Sequence, residues 1–255
     1  MKENNNDWRK VVLSVGLLSS MLISGCTSAE YKKGMEDGSK AMQEGKYEQA
    51  VTAFSTAVKE EPKNEEAKQK LAEAEKKVQE EAKKKAEEEK KQKALAEKRK
   101  YAEAAKKALP NITDTKLEMS QVTYDFIVSK NNLFPANTPQ DIKTVKGMTD
   151  KTIAAKHLNK NATPYFDKIV SFEGNVISIS EQKSDFVDAT ATLLYVWNPN
   201  GQAYQILMYK PTPNTFENDK VRFWGVPVGP SAYQNINGGT TNVQVFFGAH
   251  VEKIQ

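Results

Sequence analysis

Cysteine is almost missing from this chain: Cys26 is the only one in 255 residues. A lone cysteine excludes an intramolecular disulfide. Histidine is nearly as scarce, and the two present, His157 and His250, stand far apart without neighbouring ligands at metal-binding spacing. The chain has no Gly-x-Ser-x-Gly elbow and no phosphate-binding glycine loop. Asp185, Asp188, Glu217 and Asp219 read as turn and strand-end residues rather than as a paired acid site. These absences predict a protein that is not an enzyme and carries no metal or cofactor. After the N-terminal segment, no run approaches the roughly 18 apolar residues that a membrane span needs. A large charge of one sign is also lacking, since 37 Lys+Arg face 33 Asp+Glu.

The first 26 residues have an order of their own. Lys2, Arg9 and Lys10 precede an apolar run from Val11 to Ile23, then come Ser24, Gly25 and Cys26. The run is too short for a bilayer core of about 30 Å, so the segment reads as a secretory signal peptide over 1–25. Ile23-Ser24-Gly25-Cys26 resembles the lipobox of bacterial lipoproteins, with Ile23 where leucine is commoner. That resemblance implies diacylation of Cys26 (hence palmitate incorporation), a lipidated linker over 26–30 and a membrane-anchored, extracytoplasmic location. Two acyl chains hold a bilayer stably where one does so only marginally.

The remainder divides into two unlike halves. Ala, Lys and Glu dominate to Leu109, and most aromatic and β-branched residues follow Pro110. Within 31–63, Gly38, Tyr47, Ala50, Phe54, Ala57 and Pro62 fall at the offsets of a tetratricopeptide repeat, a pair of interlocking antiparallel helices. The resemblance implies that Gly38 and Ala50 permit close approach, that Phe54 fills the groove, and that Pro62 ends the second helix. Ala41 replaces the usual aromatic of the first helix. One such unit cannot bury its apolar face alone, so either the next helix caps it or another protein does. Residues 64–109 contain no Gly and no Pro, which predicts one long charged helix. Glu80/Lys84, Glu81/Lys85, Glu87/Lys91 and Glu89/Lys93 are spaced to pair along it, at about 0.2–0.5 kcal/mol each. Ala67, Leu71, Ala74 and Val78 suggest a coiled-coil seam that fades toward Leu95. A solvated single helix acting as a spacer and a dimeric coiled coil both remain open, and Pro110 is expected to stop the helix.

The second half, roughly 145 residues, suffices for one core. A lead-in over 110–165 holds an expected helix at 119–128, a Pro-containing loop at 134–139 and a short helix at 151–158. Five strands are then expected, at 168–180, 186–197, 202–209, 219–226 and 242–251, with Gly174 marking a bend in the first. Five strands, bent first strand and a longer break before the fourth describe an OB-type barrel over 166–255. The stretches 159–165, 170–176 and 217–229 resemble an OB-like module of secreted and membrane-attached proteins of Gram-positive bacteria, across about 158–253. The fold class expected is therefore α+β: an N-terminal helical hairpin and long charged helix, then a separate five-stranded OB-like β-barrel.

OB barrels stack ligands on strand aromatics, which makes Tyr195, Trp197, Tyr204, Tyr209 and Arg222 the candidate ligand face. From Pro110 onward, however, 13 Lys+Arg balance 13 Asp+Glu, a poor field for phosphate, so nucleic acid is not the expected partner. The expected function is a non-catalytic binding or scaffolding lipoprotein. Its partners would be the bilayer through Cys26 and a protein engaged by the repeat-like helices and barrel. The alternative is a barrel that binds a wall oligosaccharide or single-stranded nucleic acid.

Overall fold

The computed structural model describes residues 28–234 and 238–254, so Cys26 and the lipobox positions Ile23, Ser24 and Gly25 lie outside the described residues. Helices come first and a five-stranded sheet follows, an α+β arrangement. The chain forms two compact units that meet in sequence at Glu88/Glu89.

The first unit is a helical hairpin closed by the start of a third helix. α1 (Ala29–Gln43) begins where the Ser28 hydroxyl accepts the Tyr31 backbone N–H at 2.9 Å. α2 (Tyr47–Glu60) buries Ala50, Phe54 and Ala57 completely. α3 (Glu65–Ile112) opens with Glu65 and Glu66 in its first turn, and the Asn64 carboxamide accepts the Ala67 N–H at 3.1 Å. Its Leu71 and Ala74 join Ala41, Ala50 and Phe54 in one apolar cluster. The neighbouring helix thus covers the apolar face of the hairpin from within the chain.

One expectation for α3 needs correcting. The helix does not stop at Leu109 but passes through Pro110 to Ile112. Proline costs most in a helix interior; so near the end it forfeits one bond in a turn whose carbonyls have other donors. Here the Thr113 hydroxyl donates to the Leu109 carbonyl at 2.7 Å and the Asn111 amide to that of Lys107 at 3.0 Å. The division between the two units falls within the helix, at Glu88/Glu89, and residues 82–99 around it are exposed throughout. Of the expected pairs, Glu81 and Lys85 meet at 2.9 Å, whereas Glu80 takes Lys77 instead at 3.2 Å.

The second unit is built on β1 (Val170–Lys183), β2 (Thr190–Asn198), β3 (Gln202–Met208), β4 (Lys220–Gln234) and β5 (Thr240–Lys253). They close in the order β1-β2-β3-β5-β4, with β4 returning to β1. Only β3 and β5 run parallel. This is the connectivity of an OB-type barrel. The bend of β1 falls at a bulge between Val176 and Ser178. β4 and β5 are longer than expected and pair as a hairpin out to Gln234 and Thr240.

Three short helices precede the sheet: α4 (Gln121–Ser129), α5 (Pro139–Met148) and α6 (Ala155–Lys160). α5 lies where the sequence suggested only a loop and its sequel. Pro139 is its first residue, and Thr138 and Asp141 form a reciprocal capping box, so a proline that read as a breaker is a helix start. α6 sits at the end of the short helix expected at 151–158 and runs past it.

Two cores share the strands. Inside the barrel lie Val176, Leu194, Val196, Tyr204, Ile206, Phe223 and Phe246. On the outer face, Ala105, Ala108 and Leu109 of α3 join Tyr124, Phe134, Leu207, Val245 and Phe247. β3 is accordingly buried on both faces.

Candidate functional site

On the helical hairpin, α1 and α2 leave an open groove of about 620 Å³. Asp37, Lys40 and Glu44 of α1 line it together with Gln49, Thr52 and Thr56 of α2. At 3.6 residues per turn, the α2 residues point roughly 120° away from those packed against α3. The groove is polar and of mixed charge. Lys46 Nζ bonds Glu44 at 2.6 Å and holds that carboxyl below its ordinary value. The residues expected to pack the hairpin divide cleanly from this face: Gly38, Ala50, Phe54 and Ala57 are inside, and Pro62 follows the end of α2. Tyr47 is half-buried as the first residue of α2.

The five residues expected to form one ligand face on the barrel do not meet. Tyr204 points into the barrel, stacked on Phe172 at 5.1 Å and edge-on to Phe223. Tyr209 is buried in the outer core, stacked on Tyr101 of α3 at 5.7 Å. Tyr195 packs edge-on against Tyr233, and its hydroxyl accepts the Gln205 amide at 3.0 Å. Arg222 binds the Glu173 carboxylate through both Nε and Nη2. Trp197 alone presents a substantially open ring, 38% exposed. The alternation of a strand sends neighbouring residues to opposite faces, and here the outer face is covered. Gln205 also donates to the Ile112 carbonyl at 2.8 Å, so the final turn of α3 lies on the strand 2–3 surface that other OB barrels offer to ligands.

A charged cluster that the sequence did not reveal lies beside Trp224. Lys146 of α5 sits over the Trp224 ring at 4.9 Å and bonds Glu252 at 2.5 Å. Trp224 in turn packs on His250 at 5.6 Å. The Lys210 ammonium donates to the Ala136 carbonyl at 2.6 Å and lies 3.3 Å from His250 Nδ1. Burial pulls the Lys210 pKa down; burial, reinforced by Lys210, takes that of His250 down to about 4. His250 is therefore neutral at pH 7, with Nδ1 accepting from Lys210 and Nε2 facing Glu252 at 3.6 Å. Lys146, Arg222, Trp224 and Glu252 border a groove of about 460 Å³. Lys146 is paired there with Glu252 and Arg222 with Glu173, which is the arrangement of a structural network, and Asp150 and Lys151 also border the groove. The other histidine, His157, accepts the Ala154 N–H at 3.0 Å and closes the first turn of α6.

A third surface is neutral. Asn159 of α6 donates to Gln202 at 2.7 Å and accepts from Gln244 at 3.1 Å, which forms a chain of amides along a groove of about 430 Å³. The Gln244 carboxamide oxygen is buried without a partner. Among the described residues no cluster of His, Cys, Asp and Glu could hold a metal ion, and no helix is long and apolar enough to cross a membrane.

No protein-family model matches the chain, and no match is found among curated proteins.

Proposed function

We propose that this chain is a lipid-tethered extracytoplasmic binding protein without catalytic activity, and that its helical hairpin engages a protein partner. The observation that carries this reading is the groove between α1 and α2. α3 supplies the apolar cover that the hairpin needs, and the mixed-charge face lined by Asp37, Lys40, Gln49 and Thr56 stays open. Such a face suits a polar, charged peptide segment, where complementary charge sets register and partner choice. The barrel offers less to a nucleic acid, because α3 lies on its strand 2–3 surface and the second half has no net charge.

Crosslinking on intact membranes, followed by purification of the full chain, tests this reading. A defined partner should be recovered with the wild type and lost with Lys40→Glu/Gln49→Glu. Repeated recovery of the chain alone, or unchanged capture by the double variant, overturns it. Radiolabelled palmitate should enter the wild type and not Cys26→Ser; label in neither removes the tether from the proposal.

A second reading rests on the amide-lined groove. The unpartnered Gln244 oxygen and the Asn159–Gln202 chain suit an uncharged, hydroxyl-rich ligand such as a wall oligosaccharide. Titration of the full chain with wall fragments, with Gln244→Leu as control, tests it; no saturation at millimolar concentration refutes it.

A further inference from the structure

The positive charge of α3 is concentrated in its second half. From Glu65 to Glu89 seven lysines face nine glutamates, whereas from Lys90 to Lys107 eight Lys and Arg face only Glu97 and Glu103. The helix macrodipole does not account for the surplus. It acts within the last turn, and the last turn of α3 holds no basic residue. Pairing along the helix does not absorb the surplus either. Lys100 takes Glu97, but among the described residues no carboxylate lies within ion-pair distance of Lys93, Arg99, Lys106 or Lys107.

These side chains share one side of the helix. At 3.6 residues per turn, Lys93, Arg99, Lys100, Lys106 and Lys107 occupy an arc of about 140°, roughly opposite the core residues Ala105 and Leu109. Along the axis they extend about 21 Å. Lys93, Arg99, Lys106 and Lys107 are exposed, and Lys100 is half-buried. Between positions 93 and 107 the arc holds only Ala96 and Glu103 besides, and the Glu103 carboxylate accepts the Tyr124 hydroxyl at 2.5 Å. All of these positions belong to the second unit.

We propose that this arc binds a flexible, base-free phosphate polymer, whose anionic groups meet the five cations in turn. Charge complementarity selects a polyanion, since unpaired cations clustered on one surface raise its local concentration. A planar anionic membrane reaches one side of a rod, whereas a chain can follow cations spread over an arc. The arc also lacks the apolar stripe with which interfacial helices enter a bilayer. A nucleic acid gains from rings on which its bases stack, and the arc offers none: Tyr101 is stacked on Tyr209, and Tyr124 lies beneath Lys106 at 5.5 Å. The site is independent of the hairpin groove and of the amide-lined groove, and can fail without either.

Fluorescence anisotropy of an end-labelled linear polyphosphate, titrated with the full chain, tests the proposal. Half-saturation is expected at about 1–10 µM in about 50 mM salt. Affinity should fall about 100-fold by about 200 mM, as five contacts at about 0.7 counterions each require. Lys93→Gln/Arg99→Gln/Lys100→Gln/Lys106→Gln/Lys107→Gln keeps helix propensity and should weaken binding at least about 20-fold at the lower salt. Lys68→Gln/Lys70→Gln/Lys76→Gln/Lys77→Gln/Lys83→Gln removes the same charge from the first half of α3 and should weaken it less than about three-fold. Circular dichroism checks that both variants keep their helix. Absence of saturation by the wild type, a salt dependence less than half as steep, or equal losses in the two variants overturns the proposal. Stronger displacement of the probe, phosphate for phosphate, by oligothymidylate or by phosphatidylglycerol vesicles than by unlabelled polyphosphate also overturns it, with phosphatidylcholine vesicles as the neutral control.

Discussion

Gly38 lies against the face of Phe54 so closely that a methyl group at its Cα would stand 2.6 Å from a ring carbon. Phe54 is fully buried between the two helices and cannot turn aside without opening the cluster that holds Ala41, Ala50 and Ala74. Gly38→Ala should therefore destabilise the hairpin by about 1–2 kcal/mol: overpacking at about 1–3 kcal/mol exceeds the helix-propensity gain of up to about 1 kcal/mol. Combining it with Phe54→Leu should recover part of the loss, and a double-mutant cycle by chemical denaturation reads the coupling.

His250 makes stability depend on acidity. Its native pKa is held down to about 4 by burial first and by Lys210 second, against Glu252 which raises it. The unfolded chain, with an ordinary histidine near 6.5, binds the proton more readily, so stability is intact above about pH 6.5 and declines as pH falls toward 4. The side chain is only 13% exposed, and the loss should reach about 3 kcal/mol. His250→Leu should flatten that part of the profile; a wild-type curve level between pH 6.5 and 4 contradicts the assignment.

The fully buried Thr192 hydroxyl donates to the Lys210 carbonyl at 2.6 Å, tying β2 to the end of β3. Thr192→Val keeps the shape and strands that carbonyl. A loss of about 1–2 kcal/mol is expected from denaturant midpoints, together with faster amide exchange around residues 210–212.

Arg222 and Tyr204, grouped by the sequence as one face, should respond differently. The Arg222–Glu173 pair is part-exposed, with 42% and 36% of the side chains accessible, so Arg222→Ala should shift stability by less than about 1 kcal/mol. Tyr204→Ala removes a ring packed among Phe172, Phe223 and Phe246, and should cost about 3–5 kcal/mol. Thermal unfolding of both variants checks the contrast.

The sequence revealed the contacts that its own periodicity encodes. Gly38 and Phe54 belong to facing stripes of adjacent helices, and their small-against-large pattern is visible in a short window. Gly174 marks a close approach rather than the bulge itself, since a Cβ there would come within 2.6 Å of the Trp197 carbonyl oxygen while the register shifts between Val176 and Ser178. Other features were hidden. Pro139 reads as a breaker until Thr138 and Asp141 are seen to cap each other around it. Tyr204 in β3 and Tyr209 just after it were grouped as one face, because two opposite faces look alike in sequence when both are buried. No local pattern links Lys146, Lys210, His250 and Glu252, because α5, the segment just after β3, and β5 bring them together from distant parts of the chain.

The amino-acid order alone determined the two dissimilar halves, the interlocking hairpin and five strands with a bent first member, since each follows from residue spacing within one or two elements. Only the tertiary structure decided what covers what. The closing turns of α3 lie on the barrel and place Tyr101 on the buried Tyr209. Burial of that kind depends on which surfaces of distant segments meet, and hydrophobic pattern specifies that a face must be covered without specifying by which segment.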